Sequence, residues 1–275
     1  MKRLAQALAS LTLFACPPAL AQLALPGAVA PAGEGAVVHA PSPAKAQAQR
    51  PAGPPGPSAV VGKPLFQNGA SGNLLFSLRS GALRIDRLSL VGEVISDPTQ
   101  QCRIEVVSGA PIETKMTGRP DGLLRYEADI PACPFEFDVL EGAVLAPPTS
   151  SVCVFKEADC QASPAGLWGP EGSALIDKAT SIEHDRGRAE AAMRAGFRAL
   201  DESLKDPIKA TELAREQSGF SSDRETTCQD YALERKHGFC ATRLTEARAA
   251  FLQARLEAQP KEPEKKKKHH KKVGT

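Results

Sequence analysis

Six cysteines, Cys102, Cys133, Cys153, Cys160, Cys228 and Cys240, are the residues whose type and number most directly imply chemistry. A seventh, Cys16, falls in an N-terminal stretch that reads as a removable leader. An even set of cysteines in an exported chain favours disulfides, while leaving their connectivity open. Nearness along the chain favours Cys102–Cys133, Cys153–Cys160 and Cys228–Cys240. A second reading of the last pair is a zinc site completed by His237, although no CxxC pair and no fourth nearby ligand accompany it. Outside the C-terminal tail the histidines are His39, His184 and His237. The chain carries no Gly-x-Ser-x-Gly elbow, phosphate-binding glycine loop or paired-histidine metal motif. The expectation is therefore a non-enzymatic protein, with no catalytic residue, metal or cofactor.

Disulfides require export, and residues 1–21 read as a secretory signal. Lys2 and Arg3 form a positive start, residues 4–15 an uncharged and mostly apolar run, and Ala19, Leu20 and Ala21 a small-x-small cleavage site before Gln22. The run is shorter than the ~18 residues a spanning helix needs. Leu13, Phe14, Ala15 and Cys16 loosely resemble a lipoprotein box, which would anchor the chain through Cys16. The bulk of Phe14 and the proline directly after the cysteine favour ordinary cleavage. A periplasmic or secreted protein follows, with no transmembrane segment in its mature chain.

The cysteines must be positioned by folded elements, and composition divides the chain into segments. Residues 22–62 are rich in Ala, Pro and Gly, cannot bury enough surface to offset ordering entropy, and read as a disordered tether. Residues 63–170 read as a β-rich domain. Its candidate strands are 74–78, 83–90, 103–107, 112–116, 124–130, 135–140 and 152–155, several with an apolar period of two. Turn signals such as Ser80-Gly81 and Arg119-Pro120-Asp121-Gly122 separate them, so an antiparallel sandwich-like sheet is expected. Residues 171–258 turn to helical periodicity. Met193, Phe197, Leu200 and Leu204 make one apolar stripe. Asp206-Pro207 opens a second helix to about Ser218, ended by Gly219. A capping box at Ser222 and Glu225 opens a third, stopped by Gly238. Leu244, Ala247 and Phe251 lie on one side of a fourth. The fold class is α+β: a β-sandwich-like domain, then a small disulfide-braced helical module.

Charge sharpens this division. The formal net charge is +2, but it is the sum of opposed segments. The tail 259–275 carries seven Lys against two Glu, whereas residues 22–258 are net acidic. The run Lys265, Lys266, Lys267, Lys268, His269, His270, Lys271 and Lys272 is too charged to fold alone and attracts polyanions. Export makes nucleic acid the wrong partner and an anionic envelope surface the fitting one.

Around the last two cysteines the spacing is more specific. Phe220, Arg224 and Cys228 stand at four-residue steps, followed by Cys240, Leu244, Thr245, Arg248 and Leu252. Such steps place side chains on one helix face. This pattern resembles the lysozyme inhibitor LprI-like N-terminal family, which shows an aromatic, Arg and Cys, then Cys with a Leu-Thr, Arg and Leu ladder. The match is close over about 35 residues and loose over 182–256. Phe220 stands where the family usually has Trp, and the family's earlier cysteine has no counterpart in 181–206. The resemblance implies a protein that protects peptidoglycan by binding a lysozyme-like protein. An acidic body would be steered toward such basic enzymes. The alternative expectation is an envelope-associated structural or interaction protein whose helical module is a scaffold.

Overall fold

The computed structural model describes residues 53–148 and 150–259. The expected signal segment, most of the tether and the run from Lys265 to Lys272 lie outside the described residues. Helices follow strands, as the α+β expectation requires. The strands are β1 (Leu65–Gln67), β2 (Ser71–Arg79), β3 (Ala82–Val94), β4 (Gln101–Val107), β5 (Ile112–Glu113) and β6 (Lys115–Gly118). They continue with β7 (Arg125–Ala128), β8 (Phe135–Leu140), β9 (Ala143–Ala146), β10 (Cys153–Phe155), β11 (Cys160–Ala162) and β12 (Gly166–Gly169). All named pairings are antiparallel, in the order β10-β11-β3-β2-β1-β12-β9-β8-β7-β6, with β4 and β5 added beside β3.

Alternation drives this sheet to fold over on itself. In β8, Phe135, Phe137 and Val139 are buried while Glu136 is exposed, the pattern of a strand with one wet face. In β2, Leu74 and Phe76 are buried in the same way. β2 and β8 are separated by three strands in the sheet, yet the Phe76 and Phe137 rings lie 5.2 Å apart. The two halves therefore face each other as a sandwich around one apolar core. Trp168 on β12 is fully buried within it and donates its indole N–H to Pro164 C=O at 2.8 Å.

Two expectations change here. The tether expected over 22–62 ends earlier, because Pro57–Ala59 forms a 3-10 turn and Val60 is fully buried in the sandwich core. Val61 then makes a parallel bridge to Phe76. The β-half disulfides also differ from the nearest-neighbour pairing: they are Cys102–Cys160 and Cys133–Cys153. The ladder explains the first. Cys102 is in register with Gly92 and Cys160 with Val94, so both cysteines meet at the same end of β3. Distance in the sheet, rather than distance along the chain, decides the partner. The third bridge, Cys228–Cys240, is the expected one.

The helices are α1 (Ala179–Ser203), α2 (Pro207–Cys228), α3 (Glu234–His237) and α4 (Phe239–Glu257). None among the described residues is long and apolar enough to cross a membrane. The Asp206 carboxylate accepts the Ile208 N–H at 2.9 Å and Pro207 takes the first helical position, as the N-terminal signal predicts. α2 does not stop at Gly219. It runs through Gly219 and Ser222 to Cys228, so the capping box at Ser222 is unused and the third helix shrinks to one turn. A mid-helix glycine costs only about 1 kcal/mol relative to alanine, which the packing of the flanking turns offsets. At the far end Leu200, Leu213 and Leu252 are fully buried together, with Met193, Phe197 and Leu204 of the predicted stripe around them.

The helices share a second apolar cluster with the sheet. Leu123, Leu140, Ala143 and Leu167 pack with Leu175, Ile182, Tyr231, Phe239 and Leu244. A turn before β7 is pressed onto α4, and Gly122 makes this approach possible. Its φ is +80°, and a Cβ there would lie 2.6 Å from the Ala250 carbonyl oxygen. Helices too few to build a large core of their own thus borrow one from the sheet.

Candidate functional site

The residues that carry the family resemblance assemble along the line where α2 meets α4. Cys228 is the last residue of α2 and Cys240 the second of α4, and their Cα atoms are 5.6 Å apart across the disulfide. One turn back from the sulfur, the Arg224 guanidinium donates to Thr245 Oγ1 at 2.9 Å. Thr245 donates in turn to the Ala241 carbonyl at 2.7 Å and is fully buried. Another turn back, two guanidinium groups lie over the Phe220 ring, Arg224 at 5.5 Å and Arg248 at 5.8 Å from its centroid. Arg248 also covers Phe251 at 4.8 Å and donates Nε–H to Gln217 at 3.2 Å. Leu252 ends the line in the leucine cluster. Leu244 joins Cys228 and Cys240 in the cluster shared with the sheet.

This arrangement is a brace made of sulfur, hydrogen bonds and cation–π contacts. Each cation–π contact contributes about 0.5–1 kcal/mol at exposed sites and ~2 when desolvated. Arg248 tends toward the desolvated limit. Its side chain is 12% exposed, and burial pushes its pKa below the ordinary guanidinium value despite Glu216, 3.8 Å away. Arg224 and Arg248 therefore pair helices, and the charge of Arg248 is turned largely inward.

The start of α4 is held by a carboxylate that the sequence reading missed. Gly238 supplies no side-chain cap, being a glycine at φ +65°. Glu234 substitutes: its two carboxylate oxygens accept the Cys240 N–H at 3.0 Å and the Ala241 N–H at 2.8 Å. A negative group at a helix N-terminus also opposes the helix dipole favourably. Burial nevertheless pushes the Glu234 carboxyl up, outweighing these two hydrogen bonds.

His237 does not take part in a zinc site with Cys228 and Cys240. The two sulfurs are bonded to each other, and both imidazole nitrogens face backbone groups. Nδ1 accepts the Phe239 N–H at 3.1 Å, which leaves Nε2 to donate to Ala232 C=O at 2.9 Å. The residue closes the α3 turn.

Two further residues position this end of the molecule. Tyr231 is wedged between sheet and helices, donating its hydroxyl to Pro170 C=O at 2.7 Å, and burial pushes its phenol up. Gly169 leaves room for it, since a Cβ there would lie 2.6 Å from the Tyr231 oxygen. Arg243 covers the Phe239 ring at 4.9 Å and pairs with Glu246 at 2.6 Å, and burial raises the Glu246 pKa. An aromatic cluster, Tyr231, His237 and Phe239, in a chain with 5% aromatics is the sequence signal that marks this wedge.

Two open hollows flank the brace. One of about 610 Å³ is lined by Glu183, Arg186, Glu234, Arg235 and His237. The other, of about 510 Å³, is lined by Arg194, Phe197, Arg198 and Gln217. Part of their charge is engaged, Arg186 with Glu183 at 2.6 Å and Arg194 with Glu190 at 3.5 Å, while Arg198 and Arg235 have no ion-pair partner among the described residues. No protein-family model, curated protein or solved structure matches this chain.

Proposed function

We propose that this is an exported, non-enzymatic binding protein of the lysozyme-inhibitor type, protecting peptidoglycan by contact with a basic lysozyme-like protein. The observation that carries this reading is the assembly of Phe220, Arg224, Cys228, Cys240, Thr245, Arg248 and Leu252 into one brace between α2 and α4. Three disulfides among the described residues fit an oxidising compartment, periplasmic or extracellular. The net acidic body favours encounter with a basic enzyme. The purified chain should inhibit a C-type lysozyme stoichiometrically at low salt, and less as salt rises. Unchanged lysozyme activity at micromolar chain would refute the reading.

A second reading is supported by the burial of the brace itself. Thr245 and Leu252 are fully buried, which suits a scaffold whose partner binds elsewhere. On this reading the chain is an envelope-associated interaction protein, held to anionic surfaces by Lys265 to Lys272. It expects salt-sensitive binding to anionic vesicles, lost on deleting residues 259–275, and no effect on lysozyme.

A further inference from the structure

Strand β4 is bonded on one side only: among the described residues it pairs with β3 and with no other strand. The Val94 N–H donates to the Gln100 carbonyl, which sets the parity of this ladder. Cys102 and Ile104 turn their backbone groups toward β3. Gln101, Arg103 and Glu105 turn theirs to the open edge. A seven-residue edge with free donors and acceptors is a template for another strand. The side chains are sorted as well. Arg103 and Glu105 are exposed, whereas Ile104 and Val106 are half-buried at the rim of the sandwich core. Neither Arg103 nor Glu105 has an ion-pair partner among the described residues.

We propose that β4 pairs antiparallel with β4 of a second copy of this chain, centred on Ile104. That register sets Arg103 of each copy opposite Glu105 of the other, twice by symmetry. Both pairs belong to the outward-facing set, so each exchanges two backbone hydrogen bonds. Ile104 meets its own counterpart at the intervening position, where side chains approach more closely. Registers centred on Arg103 or on Glu105 satisfy the same backbone parity but oppose like charges, which destabilises a sheet. The charges therefore choose one register from those the backbone permits. The half-exposed Ile104 and Val106 lose water on pairing, completing a core edge that one copy leaves open. A two-fold contact of this kind closes on itself and stops at the dimer. One short strand pair is small beside the roughly 1,200–2,000 Å² of stable interfaces, so the dimer is concentration-dependent.

Sedimentation velocity over a concentration series, on the full chain and on R103E, E105R and the double variant R103E/E105R, tests this. The chain should dimerise at high micromolar concentration. Each single reversal opposes like charges at both symmetric contacts and should weaken dimerisation by about tenfold or more. The double reversal restores opposite charges and should return the affinity to within about threefold of the starting chain. Amide exchange at Arg103 and Glu105 should slow as concentration rises, and unchanged circular dichroism excludes misfolding of the variants. A chain that remains monomeric at millimolar concentration overturns the proposal. So does a dimer indifferent to the single reversals, or a double variant as weak as the singles.

Discussion

The sheet and the helices belong to one compact unit but are held together differently. In the sheet, alternating strands bury Phe76, Phe137, Val139 and Trp168 in a continuous apolar core, and the disulfides Cys102–Cys160 and Cys133–Cys153 fasten its margins. In the helices the apolar clusters are smaller. Stability there leans on a polar brace, one disulfide and a core partly supplied by the sheet. The difference teaches that a small helical module can hold a defined shape without a large core, if its helices are cross-tied and docked.

The harshest way to break this comparison is to attack the sheet. Trp168→Ala removes a fully buried indole and strands the Pro164 carbonyl, and should cost about 3–5 kcal/mol. Because the sheet completes the helical core, sheet and helix signals should melt together in thermal unfolding. Separate transitions would show that the helices stand alone.

The next effect comes from replacing Cys228 and Cys240 together by serine. Closing a loop of this size, with a sequence separation of 12, contributes about 3 kcal/mol. Hydrogen exchange should accelerate in α2 and at the start of α4 more than in β2 and β8. Uniform acceleration would mean that the brace is not local to the helices.

A finer probe is Thr245→Val, which keeps shape but leaves the half-buried Arg224 donor without its acceptor. The expected loss is about 1–3 kcal/mol in denaturant melts. Combined with Arg224→Ala in a double-mutant cycle, it should show coupling, whereas additivity would remove Arg224 from the brace.

The smallest effect is on pH. Burial raises the carboxyls of Glu234 and Glu246 above 4.5 in the folded chain. The native state therefore binds more protons than the unfolded chain as pH rises from that value through the folded pKa values, and stability falls over that window. Both contributions are recovered on acidification toward 4.5. The double variant E234Q/E246Q should show a flatter dependence of melting temperature between neutral pH and that point than the parent chain.

How much of this was legible in the sequence follows from physical signal strength. β8 has the predicted bounds because its alternation is unbroken over Phe135–Leu140. β1, β9, β11 and β12, each of three or four residues, went unread. Two of them, β9 and β12, are buried on nearly every residue, so no period of two is visible. The local cap at Asp206 was readable, but Gly219 and Ser222 mimicked a boundary that tertiary packing overrode. The disulfides of the sheet depended on a register that only the assembled strands define. The brace was visible as four-residue spacing. Its inward orientation, and the parts played by Glu234 and Tyr231, depend on how the α3 turn folds back beneath α4.

The turn at Pro57–Ala59 also sets a limit on trimming. A cut that leaves this turn in place keeps Ala59 and Val60 in the sandwich core. One step further, Ala59 and Val60 leave the core and take their packing with them. An N-terminal truncation meant to keep the sandwich intact therefore has to end before Ala59, a limit set by two small apolar side chains.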